Sequence, residues 1–131
     1  MNQPATINPY LRNQVLSASP EQLRLMLYDG ALRFMRAGKL GLAEQNFDTS
    51  YTNLSKAQKI IIELSNSLKP QIMPDLCEKL SALYTYIYRL LIDANMQRTT
   101  QPVDEAITLL EFERETWVMM MEKNAAANGA A

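Results

Sequence analysis

The sequence predicts an all-α protein, an antiparallel four-helix bundle behind an irregular N-terminal leader. Three observations predict it. Hydrophobic residues make up 47% of the 131 residues, with eight methionines and only four glycines, a composition that favours helices. Apolar residues recur every three to four positions, which lines up one side of a helix. Prolines and helix-capping residues divide this pattern into four long segments joined by short connections, which favour antiparallel neighbours. A chain of this length suits one domain and buries roughly two thirds of its unfolded surface, enough to fold without staples.

Residues 1–18 hold Pro4, Asn8 and Pro9 among scattered apolar side chains and read as an irregular or partly helical leader. Ser19-Pro20-Glu21-Gln22 is a start signal: Ser19 can cap, Pro20 suits the first turn, and Gln22 can reach back. The first long helix should run from Pro20 to about Ala37, with Gly38 closing it. The second should span about Leu40 to Leu68, repeating Phe47, Leu54, Ile61 and Leu68 and stopping before Pro70. Pro74 and Asp75 open the third, whose Leu76, Leu80, Leu83, Ile87, Leu90 and Ala94 form one stripe as far as about Arg98. Pro102, Asp104 and Glu105 open the fourth, where the helix dipole favours the acids. Its inner stripe is Val103, Ile107, Leu110, Trp117 and Met121, interrupted by Arg114. The bundle thus spans 19–123, and 124–131 should be a frayed, disordered tail.

Charge and composition exclude several functions. Thirteen basic and 14 acidic residues are mixed along the chain, a net charge of −1, so no nucleic-acid footprint is expected. No stretch approaches a membrane span, the N-terminus has no signal-peptide pattern, and Cys77 stands alone, all pointing to the cytoplasm. The chain has no histidine, which removes the usual di-iron, phosphorelay and attached-haem versions of a helical bundle. Cys77 has no histidine to activate it, and Glu111, Glu113 and Glu115 spread around their helix as a solvated face. Arg114 reads as a bundle-edge residue with a packed stem, or else as the partner of a buried acid. No catalytic, metal or cofactor site is expected, and the protein should not be an enzyme.

The apolar surface exceeds what a simple bundle needs. On the first long helix Leu23, Met26, Leu27, Gly30 and Phe34 read as the core face, yet Leu25, Tyr28, Leu32 and Met35 form a second stripe opposite. The third helix adds Tyr84, Tyr88, Leu91 and Ile92, and the fourth adds Phe112 and Met119, seven apart and pointing away from its inner stripe. Two readings stand. All these residues are core, or some are an exposed surface for a partner helix, a role that methionine suits. On the second reading Leu25, Tyr28, Leu32, Met35, Tyr84, Tyr88, Leu91, Phe112 and Met119 are the candidate contacts. The leader, through Ile7, Tyr10, Leu11, Val15 and Leu16, could fold over an empty groove.

Asn8-Pro9-Tyr10, Val15-Leu16-Ser17-Ala18-Ser19-Pro20 and Met26-Leu27-Tyr28-Asp29-Gly30-Ala31-Leu32-Arg33-Phe34 resemble the flagellar secretion chaperones of the FliS family. Leu83 to Ile87, Ala94-Asn95, Leu109-Leu110 and Arg114 to Trp117 agree with that pattern, so the resemblance covers roughly residues 8–123. Ser17 stands where the family usually has threonine, and the two prolines at 70 and 74 depart from its glycine-containing loop. The resemblance implies an antiparallel four-helix bundle that binds the disordered C-terminal segment of flagellin in the cytoplasm. It also implies that the bound cargo is kept from polymerising and presented to the flagellar export gate at the membrane. Ile7 and Tyr10 would then act as a lid over the cargo groove. The alternative is a structural bundle whose extra stripes meet in a homodimer or larger assembly.

Overall fold

Ser19 starts the first long helix through the bonds its sequence predicts. Its side chain accepts from the Gln22 backbone N–H, and the Gln22 side chain accepts from the Ser19 N–H. The computed structural model describes residues 9–71 and 73–130, and these form five α-helices and no strand. They are α1 (Pro9–Ser17), α2 (Pro20–Ala43), α3 (Phe47–Asn66), α4 (Pro74–Gln97) and α5 (Gln101–Ala130). The four long helices close a ring of contacts: α2 packs on α3 and α5, and α4 packs on the same two.

The helix boundaries correct three expectations. Gly38 does not close α2, which continues to Ala43; no glycine takes a positive φ, and Gln45 makes the left-handed turn instead. The signal for the next helix is Asn46, whose side chain accepts from the Thr49 N–H, so α3 begins at Phe47 rather than Leu40. At the other end α5 runs on to Ala130, through the stretch expected to be a disordered tail. Its alanines are strong helix formers, although residues 122–129 are all exposed. Half of the leader is also helical, as α1, and none of its residues is buried.

Glycine has a packing role at Gly38 and Gly41. A Cβ on Gly38 would lie 2.4 Å from Leu54 Cδ2, and one on Gly41 would lie 2.8 Å from the Ser50 backbone nitrogen. The two positions therefore let α2 and α3 approach until side chain or backbone of one fills the notch in the other. Gly38 facing Leu54 and Gly30 facing Ile60 show that these helices run in opposite directions. The core they enclose holds Leu54, Ile61 and Leu64 of α3, Ile87, Leu90 and Leu91 of α4, and Val103, Ala106 and Leu110 of α5.

Candidate protein-binding surface

The second stripe of α2 belongs to the core. Tyr28, Leu32 and Met35 are each at most 2% exposed, and on α4 Tyr84 and Leu91 are equally buried. Their placement on an exposed binding face is therefore corrected. Because α2 is held between α3 and α5, it needs two apolar sides, and the stripe taken for its inner face (Leu27, Gly30, Phe34) lies along the flank of α3. Leu25 and Tyr88 are half-buried. Phe112 and Met119 are 72% and 62% exposed, which leaves them free to meet a partner. Tyr10 is exposed on α1, and Ile7 lies outside the described residues.

An open apolar groove of about 340 Å³ runs between α3 and α4. Ile61, Ile62 and Ser65 form one wall, and Tyr84, Thr85, Tyr88, Arg89 and Ile92 form the other. Ile62 and Ile92 are exposed and Tyr88 half-buried, so apolar side chains reach the rim as well as the floor, beside exposed Thr85 and Arg89. The spacing of Tyr51 and Ile62 on α3, and of Ile92 and exposed Met96 on α4, continues apolar surface beyond the groove along each helix. Sequence reading found Tyr88 and Ile92 on the flank of α4. It missed Ile62, whose neighbours on α3 are polar or buried.

Beneath this groove sits a polar cluster that the periodicity did not reveal. The Arg24 guanidinium donates to Tyr28 Oη (3.1 Å), Ser67 Oγ (2.8 Å) and Tyr84 Oη (2.6 Å). The two tyrosine hydroxyls lie 3.0 Å apart and share a hydrogen bond. The cation also stands 5.3 Å from the Trp117 ring centroid, and the indole N–H donates to the Glu21 carbonyl. Burial, and next the adjoining Tyr28, pushes the Tyr84 hydroxyl far above the usual tyrosine range, so it stays protonated. Glu113 is corrected from a solvated residue: it is half-buried, and its Oε2 has no hydrogen-bond partner. Desolvation raises its pKa above the ordinary glutamate value, opposed only by the charge of Arg24.

The α2–α5 side is of a different character. Asp29 pairs with Arg114, Arg36 with Glu111 and Lys39 with Asp104, all partly exposed. Arg114 thus lies at the edge and pairs with an exposed acid. These pairs run up α2 as they run down α5, so the two helices are antiparallel, and their seam is charged where the α3–α4 seam is apolar. Among the described residues no group of three His, Cys, Asp or Glu could hold a metal, and no helix is long and apolar enough to cross a membrane.

The family model for "Flagellar protein FliS" matches residues 1–124. The flagellar secretion chaperone FliS of Bacillus subtilis is 35% identical over 113 residues, covering 84% of each chain. That of Escherichia coli is 33% identical over 108 residues, with 82% of this chain and 79% of its own length covered. The one from Campylobacter jejuni is 31% identical, with 84% and 86% covered. An all-helical chain with these relatives falls in the class of flagellar secretion chaperones, with a role in flagellar export. Within that class the chain belongs to the FliS family.

Proposed function

We propose that this protein is a cytoplasmic export chaperone that binds the disordered C-terminal segment of flagellin. It prevents premature polymerisation of that segment and delivers it to the flagellar export gate. Over residues 19–123 the four long helices act as an antiparallel four-helix bundle that offers its sides to the cargo. The observation that carries this reading is the α3–α4 groove. A cleft walled by Ile61, Ile62, Tyr84, Tyr88 and Ile92 suits the apolar face of an amphipathic helix, whose anchors recur at three, four and seven residues. Phe112 and Met119 on α5 form a second apolar contact for a long segment that continues around the bundle. The leader, residues 1–18, serves as a lid through Ile7 and Tyr10, since α1 exposes its apolar residues and buries none.

A disordered cargo that becomes helical on binding loses chain entropy, and apolar burial offsets that loss. Titration calorimetry with a peptide of the last ~40 residues of flagellin is expected to give one-to-one binding with a large negative heat-capacity change. Circular dichroism should show helicity gained on mixing. No binding would overturn the reading. If light scattering showed a cargo-free dimer that neither binds nor is split by the peptide, the apolar surface would be an interface between copies.

A further inference from the structure

One lining residue of the groove is held by partners that lie outside it. Tyr84 lines it, yet the Tyr84 ring is buried and its hydroxyl is held by Arg24 and Tyr28, neither of which lines the groove. We propose that Arg24 is a positioning residue for the α3–α4 groove, fixing the buried Tyr84 ring that forms its floor and so the shape that a docked helix meets. This inference rests on the reading that the groove receives cargo.

The chemistry favours orientation over stability as the role of Arg24. Its hydrogen bonds run to neutral hydroxyls only, and Glu113 interacts with it through charge without a hydrogen bond. Withdrawing a guanidinium from water for such partners gains little net stability, and apolar replacements of buried charges are often neutral or better. A planar fork does supply direction. From one side chain it reaches Tyr28 on its own helix, Ser67 at the end of α3 and Tyr84 on α4, while its face meets Trp117 on α5. Without it, the Tyr84 ring at the groove floor keeps only its packing and the Tyr28 bond, and its orientation is less tightly fixed. If the docking orientation were occupied only a tenth of the time, apparent affinity would fall by about that factor.

The experiment compares Arg24→Met, Tyr84→Phe and their double variant with the wild type, using the flagellin C-terminal peptide as probe. Each single variant is expected to fold, with a melting temperature near wild type, and to bind roughly tenfold more weakly. The double variant should bind no worse than the weaker single one, because both act on the same ring. In cargo-free protein labelled at tyrosine, the Tyr84 ring resonances should change from one sharp set to an averaged or broadened one in Arg24→Met. That readout is independent of cargo. Ile92→Asp, on the groove rim, separates the two levels of the argument. If it leaves peptide binding intact, the groove reading fails. If it abolishes binding while Arg24→Met, folded, binds like wild type, the positioning role alone fails. Fully additive losses in the double variant would also overturn it. Should Arg24→Met not fold, Tyr84→Phe decides the matter, since it keeps the ring and removes only the oxygen.

Discussion

Gly41→Ala places the packing of the long helices under test. In an ordinary helix interior this change is stabilising by about 1 kcal/mol, because alanine is the better helix former. Here the new Cβ would lie 2.8 Å from Ser50 N, 3.0 Å from Asn46 O and 3.1 Å from Ser50 Cα. All three are backbone atoms at the start of α3, so no side chain can swing aside. The two helices must part instead, which loosens Leu42 and Leu54 in the core behind them. Overpacking of this kind costs about 1–3 kcal/mol, sometimes more. Set against the gain in helix propensity, the net loss is up to about 2 kcal/mol, or several degrees of melting temperature for a chain of this size. Urea and thermal unfolding followed by circular dichroism would measure it. Gly129→Ala, where a Cβ meets nothing within 4 Å, is the control and should be neutral or slightly stabilising. If Gly41→Ala proved as harmless as Gly129→Ala, the close approach of α2 and α3 would be wrong.

Leu32→Ala, at a core position, is expected to cost about 2–5 kcal/mol in chemical denaturation. Phe112→Asp should leave stability within about 0.5 kcal/mol, because the side chain is exposed, while weakening peptide binding in calorimetry. Glu113→Gln should be more stable than wild type at pH 7, since it removes the cost of a desolvated carboxylate. The folded protein holds that proton more tightly than the unfolded chain, so wild-type stability gains from Glu113 as the pH falls through the raised folded pKa. The gain is complete below the ordinary value of 4.5, and the advantage of Glu113→Gln should shrink over the same window in pH-dependent melting curves.

The punctuation of the chain was readable before its faces were. The Ser19 capping box, the prolines at 20, 74 and 102 and the long apolar periods locate the four long helices, because each signal acts on its own backbone. Which of two apolar stripes lies inside is a tertiary question. Tyr28, Leu32 and Met35 resemble a binding face only while α2 is imagined with one neighbour, and α2 has two. Gly38 misled for a similar reason: a glycine that admits Leu54 and one that ends a helix look alike in one dimension. The Arg24 cluster draws on all four long helices or their ends, and only its Arg24–Tyr28 spacing of four gave a local hint. The groove was half visible, through Tyr88 and Ile92 on α4, because an amphipathic flank shows on one helix while a cleft needs two.

The walls of the α3–α4 groove contain few polar groups, namely Ser65, Thr85 and Arg89 beside its aliphatic and aromatic members. On the proposed reading, such a surface would register where apolar anchors fall along a docked helix and be nearly indifferent to the residues between them. A cargo held in this way would be free to change its solvent-facing positions without losing its carrier. Chaperone and cargo would then need to keep only a shared spacing in step, and a carrier from one lineage should tolerate cargo from another wherever that spacing survives.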